Sequence, residues 1–200
     1  AANNTVSTSI SGNITASSVG IASSAELDQN IANIFGNNAQ GNTLSLKATS
    51  ITGDDVSTLS SSASLVQNIG IINSQTSSNN NIDLTLGKVS ATEVGVLSFS
   101  GTSYSNIGII SSNTSTNNSI KVDAGNIASL GVGSDSTSDT ELGVIDTASA
   151  QNNMIDVKIK NGVLSESYGI STISKINIGR ITGGSSATNN KITVSTGYIS

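Results

Sequence analysis

The sequence contains no cysteine, histidine, proline or tryptophan, and only 10% of its 200 residues are charged and 2% aromatic. Without histidine and cysteine the chain has no imidazole base, no thiolate nucleophile and no zinc site of the usual kind. Its apolar runs fall far short of the roughly 20 residues that a membrane-spanning helix needs. Eight basic residues against thirteen acidic ones argue against a nucleic-acid partner, which requires a basic stripe.

Serine, threonine, asparagine and glycine make up just over half of the chain. No change in composition and no linker divides it, so residues 1–200 are predicted to form a single domain. Its start, Ala1-Ala2-Asn3-Asn4, is typical of a mature end left by signal-peptide cleavage behind small residues. The lack of cysteine fits export without disulfide chemistry and equally fits the cytosol. We expect a secreted bacterial protein, extracellular or at the cell surface.

An internal repeat dominates the sequence. One short apolar segment with a central small residue recurs every 35 to 38 residues. Its copies are Asn30–Ile34, Asn68–Ile72, Asn106–Ile110, Glu141–Ile145 and Asn177–Ile181. A second segment, usually Asn-Asn-x-Ile-x-Val, follows each start after eleven or twelve residues, and a third includes Val94–Leu97. Repeats of this length predict a stacked, quasi-linear architecture.

The three segments of each repeat alternate apolar with small or polar residues, and this period of two predicts β-strands. Clusters of serine, threonine, asparagine and glycine between them predict turns. We therefore predict an all-β fold, a β-solenoid of about five coils with three short strands per coil. Two shorter turns per repeat are the alternative geometry. The stretch Val19–Phe35 is the least strand-like and could hold a helical turn.

Equivalent residues of successive coils should stack into columns that build the core without aromatic residues. The predicted inward columns are Ile69, Ile107, Leu142 and Ile178; Leu44, Ile82, Ile120, Ile155 and Ile192; and Leu46, Leu84, Val122, Val157 and Val194. Between the last two columns lie Asp83, Lys121 and Asp156, whose alternating charges suit the same register or arise by chance.

The repeated asparagines and glycines have structural and functional interpretations. We expect a ladder of hydrogen-bonded asparagines at a coil corner, where asparagine also tolerates a positive φ; a row that binds glycans or ions is the alternative. This ladder consists of Asn79, Asn117, Asn152 and Asn189. The central glycines of the first segment are expected to allow tight packing inside the coil or close approach of another backbone. They are Gly70, Gly108, Gly143 and Gly179.

Catalytic and metal-binding groups are sparse. Asp54-Asp55 is the single adjacent acidic pair, and we interpret it as part of a turn. Asp135, Asp139 and Glu141 could ligate calcium, although a solvated turn is the preferred interpretation. Thr114-Ser-Thr116 is the single Thr-x-Thr, so there is no repeating row of the kind used to bind ice. We predict a protein that is not an enzyme and uses no cofactor or metal.

Both ends of the chain carry the asparagine-pair segment and therefore should expose similar strand edges, which recruit other chains unless they are capped. The residues assigned to this assembly interface are Asn3, Val6, Ile10, Ile192, Val194, Tyr198 and Ile199. Contacts of one end with the other do not close on themselves, so the predicted partner is a second copy and the product a homopolymer.

The chain resembles bacterial secreted β-solenoid repeat proteins, including functional-amyloid subunits of the curli and Fap type. The shared features are imperfect repeats rich in glycine, asparagine, serine and threonine, an export-type start, and no proline or cysteine. This resemblance implies a structural component of an extracellular filament or biofilm matrix. A monomeric adhesin module that binds surface glycans is the alternative, and a carbohydrate-active β-helix enzyme, using Asp54, Asp135 or Asp139, comes third.

Overall fold

The computed structural model describes residues 2–21, 25–58, 62–96, 100–132, 135–168 and 170–200. Its elements are almost entirely strands, with one 3-10 turn at Gly184–Ser186. In chain order they are β1 (Thr5–Ile21), β2 (Ala25–Ile31), β3 (Ile34–Phe35), β4 (Asn38–Gln40), β5 (Thr43–Thr58), β6 (Ser62–Asn73), β7 (Thr76–Ser78), β8 (Asn81–Val96), β9 (Ser100–Thr116), β10 (Ser119–Val132), β11 (Asp135–Gln151), β12 (Met154–Tyr168), β13 (Ser171–Thr182) and β14 (Lys191–Thr196).

The strands form two parallel sheets, and the chain passes from one to the other in every repeat. The first sheet has the order β1-β5-β8-β10-β12-β14, and the second runs β13-β11-β9-β6-β2, with β3, β4 and β7 pairing beside this path. From β2 to β13 the second sheet rises through about four turns, with a repeat of about 38 residues. The predicted all-β solenoid is confirmed.

Each coil contains two long strands where three short ones were expected, because the second and third apolar segments lie on a single strand. In β8 the buried side chains are Ile82, Leu84 and Leu86 before Gly87, and Val89 and Ala91 after it. The pairing of β8 with β10 omits Gly87 at the same point. Gly87 therefore marks a corner at which the inward face changes phase, which a period of two cannot reveal.

The helical turn considered for Val19–Phe35 is wrong, since this stretch contains the end of β1, all of β2, and β3. Residues 22–24 lie outside the described residues. The turns proposed around Asp54 and around Asp139 are also wrong, because Asp54 lies within β5 and Asp139 within β11. Around Asp139 the inward positions are also polar, with Ser136, Ser138 and Thr140 buried, so this strand has the composition of a turn.

The strand pairing confirms the predicted columns. Leu44, Ile82, Ile120, Ile155 and Ile192 occupy equivalent positions. Leu46, Leu84, Val122, Val157 and Val194 do so as well, and so do Ile69, Ile107, Leu142 and Ile178. Members from inner coils are fully buried, whereas Ile192 and Val194 of the last strand are 45% and 40% exposed. The core is thus continuous along the axis and open at its C-terminal end.

Part of the interior is polar. Gln67 is fully buried and donates from Nε2 to Gln29 Oε1 at 2.7 Å and to the Ser90 carbonyl at 3.0 Å. In later coils, pairs of buried serines form the polar part of the interior, and Ser138 Oγ lies 2.8 Å from Ser165 Oγ. Because these polar groups satisfy one another, they can be buried without the cost of an unpaired donor or acceptor.

The central glycines form a left-handed column at a second corner. Gly143 has φ +58°, and a Cβ built there would lie 2.6 Å from Val157 Cγ2. The same column holds Ala32 in the first coil, with φ 54°. The position therefore has a left-handed backbone in every coil and, at Gly143, no room for a side chain, which is the expected tight packing inside the coil.

Candidate functional site: asparagine rows and coil ends

The predicted ladder residues form an outer asparagine row at the corner where the chain enters the first sheet. All have a positive φ of 53° or 54° and exposed side chains. The row comprises Asn3, Asn79, Asn117, Asn152 and Asn189, with Gly41 (φ +64°) in the second coil. Among the described residues, its single side-chain bond between coils runs from Asn117 Nδ2 to Asn79 Oδ1 at 3.3 Å. Its shared property is therefore backbone conformation.

The continuous hydrogen-bonded ladder lies one residue further on, in an inner asparagine row. Asn80 Nδ2 and the Asn80 backbone N–H both donate to Asn118 Oδ1 at 2.9 Å. Asn118 does the same to Asn153 Oδ1, at 3.2 and 3.0 Å. The inner row comprises Asn4, Asn42, Asn80, Asn118, Asn153 and Asn190.

The inner row is buried in the middle of the solenoid and exposed at its ends. Asn42, Asn80, Asn118 and Asn153 are each 1% exposed. Asn118 Nδ2 also donates to the Ser77 carbonyl at 3.0 Å and to Ser115 Oγ at 2.8 Å. Each inner asparagine thereby joins the corners of successive coils, and this is the set that sequence reasoning missed. The sequence does distinguish the two positions, because the outer position is glycine in one copy of the repeat while the inner position is asparagine in every copy.

The bonds from one inner asparagine to the next all point the same way. Each member from Asn4 to Asn153 donates to the Oδ1 of the asparagine in the next coil toward the C-terminus. Within the described residues, nothing donates to Asn4 Oδ1, and the Asn190 backbone N–H has no acceptor. One end of the row therefore offers an acceptor, and the other end offers a donor.

The C-terminal coil presents the predicted assembly residues at its open edge. Ile192 and Val194 lie on β14, which pairs only with β12 among the described strands. Tyr198 and Ile199 follow it and are 48% and 55% exposed. Ile173 on β13 is 50% exposed, so aliphatic surface is uncovered on both sheets of this coil.

The N-terminal coil presents the other predicted residues. Val6 and Ile10 lie on β1, which pairs only with β5 among the described strands, and both are half-buried. Asn3 precedes this strand, and its backbone N–H donates to the Gln40 carbonyl at 2.7 Å. The structure thus divides the predicted interface residues between two opposite ends of the solenoid and does not bring them together within one chain.

Charged groups are scattered over the outer surface. Asp83, Lys121 and Asp156 share one outer column, and Lys121 Nζ lies 3.5 Å from Asp83 Oδ1. Arg180 Nη2 lies 3.1 Å from Glu141 Oε1. Burial raises the pKa of Asp139 above its usual value, while Lys175, the Thr140 backbone N–H and Arg180 act in the opposite direction. Because the side chains of the two ion pairs are between 25% and 50% exposed, water screens their charges and each pair adds little stability.

The candidate carboxylates do not assemble into a metal site in the part of the chain that the structure describes, where no three or more acidic residues could hold an ion. Asp54 and Asp139 lie on different sheets. Of Asp135, only its place at the start of β11 is described. In these same ranges, no helix has the length and hydropathy needed to cross a membrane.

Comparison of the chain with protein-family models, with curated proteins and with solved structures finds no match. Arguments about function therefore rest on the geometry of the coils, their ends and their outer surface.

Proposed function

We propose that this chain is a structural subunit of an extracellular filament, lengthened by head-to-tail stacking of coils. The observation that carries the proposal is the inner asparagine row, with a free acceptor at one end and a free donor at the other. If β1 of one copy is placed on β14 of another, Asn190 of the lower copy donates to Asn4 Oδ1 of the upper copy. Head-to-head contact would instead bring two acceptors together.

The apolar columns support the same contact. In that register Val6 stands above Ile192 and Thr8 above Val194, which continues the columns of the first sheet. Each fully buried aliphatic side chain contributes about 1.5–3 kcal/mol, so covering the half-exposed residues of both copies favours association. Parallel strand edges supply the backbone hydrogen bonds.

The second sheet limits how two copies can meet. Residues 189–200 place β14 only over the first sheet, so the upper edge of the second sheet is β13. If β1 of a second copy paired with β14, β2 of that copy would lie farther from β13 than a paired strand does. The difference is one strand spacing, about 4.8 Å. Closing that space requires a tilt of the copies or release of β14 from β12, so β14 is the segment to alter first.

The extracellular location is part of the proposal. It is supported by the lack of cysteine, the scarcity of lysine and arginine, and the low charge of the chain. A continuous parallel solenoid with few trypsin sites suits an environment that contains proteases. Fractionation of the natural source with an antibody against the chain tests the location directly.

The test of stacking is negative-stain electron microscopy of the purified chain and of two β14 variants. Val194→Lys puts a charge into the column that the next copy would cover, and because Val194 is 40% exposed, the coil itself tolerates the change. Thr193→Lys is the matched control on the opposite face, where Asp156 lies beside it in β12. We expect filaments from the parent chain and from Thr193→Lys, and monomers from Val194→Lys.

Two results would contradict stacking. One is a parent chain that stays monomeric at high concentration. The other is filaments from Val194→Lys as abundant as those from Thr193→Lys, which would mean that β14 does not form the contact.

A further inference from the structure

A groove of about 640 Å³ runs along the outside of the solenoid, beside the turns that follow β3 and β6 and beside the equivalent residues within β9 and β11. One wall is the column Phe35, Asn73, Ser111 and Asp146, whose members occupy equivalent positions in successive coils. The other wall contains Asn37, Gln75 and Asn113, where the Gln75 backbone N–H donates to the Asn37 carbonyl and the Asn113 backbone N–H to the Gln75 carbonyl, both at 2.9 Å. The groove is therefore parallel to the axis and repeats with the coil.

The floor and the walls differ in their hydrogen bonding. On the floor, Ser74 Oγ donates to the Thr76 carbonyl at 2.9 Å and Thr147 Oγ1 to the Ser149 carbonyl at 3.1 Å. The wall amides of Asn37, Asn73, Gln75 and Asn113 are exposed and, among the described residues, make no side-chain hydrogen bond. The floor is thus internally satisfied and the walls keep their donors and acceptors for a ligand.

The electrostatics of the groove favour a neutral ligand. Asp146 is the one ionisable residue among those that line it, so an anionic chain finds no cation there. Phe35 stands at one end with 64% of its surface exposed and offers a ring face. Amides both donate and accept hydrogen bonds, as sugar hydroxyls do.

A furrow of about 220 Å³ with mixed polar and apolar lining adjoins the groove, shares Ser111 and Asp146 with it and is also lined by Glu141. Its floor is Ile71, Ile109 and Val144, which are 8%, 8% and 0% exposed. Its rim carries Asn68 and Asn106, joined by a bond of 3.0 Å from Asn106 Nδ2 to Asn68 Oδ1. Hydrogen-bonding amides and apolar side chains thus lie side by side along the same direction.

We propose that this groove binds a linear, neutral, β-linked polysaccharide that lies parallel to the solenoid axis. Such a chain is straight, carries hydroxyls on its edges and presents C–H groups on its faces. The wall amides recur at the strand spacing of about 4.8 Å, comparable to the length of one sugar unit, so successive units meet equivalent partners. Phe35, together with the accessible edges of Ile71 and Ile109 in the furrow, receives the C–H faces. The proposal is independent of filament formation, because the groove lies on the side of the coils.

The test is NMR titration of the side-chain amide resonances with cellohexaose and chitohexaose, with maltohexaose and oligogalacturonate for comparison. Where the parent chain forms filaments, the Val194→Lys background is used. We expect the amide signals of Asn37, Asn73, Gln75 and Asn113 to shift with at least one β-linked sugar at about 10 mM or below. The coiled α-linked maltohexaose and the anionic sugar should bind at least about tenfold more weakly.

Variants then locate the site. Asn73→Ala combined with Asn113→Ala removes two exposed amides and should weaken binding by about tenfold or more, and Phe35→Ala should weaken it as well. Asn161→Ala, an exposed asparagine on the other sheet, is the matched control and should bind as the parent does. The proposal is overturned if no β-linked sugar shifts the wall amides, if all four sugars shift them equally, or if the double variant binds as tightly as the control.

Discussion

The two asparagines of each Asn-Asn pair are neighbours in sequence and opposites in structure. The outer one is exposed and held in the left-handed region, whereas the inner one is buried and donates to the next coil. Gly41 replaces the outer residue in the second coil, while Asn42 keeps the inner place. The outer position therefore requires a particular backbone conformation, and the inner position requires an amide group. Substitutions that separate these demands should differ strongly in effect.

The largest effect is expected for Asn118→Ala. The change leaves the Asn80 backbone N–H without its acceptor and takes one of three acceptors from Asn80 Nδ2. It also removes the bonds that Asn118 donates to Ser77 and Ser115. Buried unpaired groups cost about 1–3 kcal/mol each, so we expect a loss of about 3 kcal/mol or more in the free energy of unfolding, measured by urea denaturation. A loss below about 1 kcal/mol is what removal of an exposed interaction would cost. Such a result would contradict the stabilising role of the buried inner row.

A smaller loss is expected for Gly143→Ala, which tests the other left-handed column. Alanine there has an unfavourable φ, and its Cβ would lie 2.6 Å from Val157 Cγ2 and 2.9 Å from Ile155 Cγ2. Strain and overpacking together should cost about 2–3 kcal/mol, measured in the same denaturation experiment. Gly12→Ala is the matched control, because nothing lies within 4 Å of the Cβ that it adds. Equal stability of the two variants would contradict the assignment.

Asn117→Ala should cost about 1 kcal/mol, since alanine tolerates the left-handed region less well than asparagine. Asn117→Gly should leave the stability almost unchanged, as Gly41 shows for the equivalent position. Thermal unfolding of both variants beside Asn118→Ala provides the comparison within one pair. If Asn117→Gly is as damaging as Asn118→Ala, the outer side chain has a role beyond its backbone conformation.

The smallest effect, and a favourable one, is expected for Ala32→Gly. Ala32 has φ 54° at a position that is glycine in the other coils. Relief of about 1–2 kcal/mol of left-handed strain, less about 0.4–1 kcal/mol for the greater freedom of glycine in the unfolded chain, leaves a gain of about 0.5 kcal/mol. A rise in the urea midpoint without a change of slope would confirm it, and a fall would contradict it.

The aliphatic columns could be predicted from sequence because Leu84, Val122 and Val157 recur at spacings of 38 and 35 residues and alternate with polar residues. The polar interior could not, because Gln67 and Ser138 are buried only through partners in other strands. Without knowledge of those partners, serine and glutamine are predicted to lie at the surface. The corner at Gly87 was missed for a related reason: alternation gives the period of a strand but not the point where its inward face changes.

Of the site, the pattern located the asparagine corner and its positive φ but placed the ladder on Asn117 where Asn118 forms it. Both residues recur with the same period, so the replacement of the outer asparagine by Gly41 is what distinguishes them in the sequence. The groove beside Phe35 was not predicted, because its walls combine residues from separate coils whose alignment depends on the strand pairing. The sequence therefore predicts the repeat well, but it does not show which residues of separate coils the repeat brings together.

Because the coils are nearly identical, a strand could pair incorrectly during folding with a strand two coils away and still meet the same aliphatic columns. The outer charged column opposes this error. In the native order Lys121 separates Asp83 from Asp156, but omission of one coil would set the two carboxylates side by side, where like charges repel. A pair that adds little to native stability can therefore favour the correct order of assembly, and its removal should show in the yield of refolding before it shows in the melting temperature.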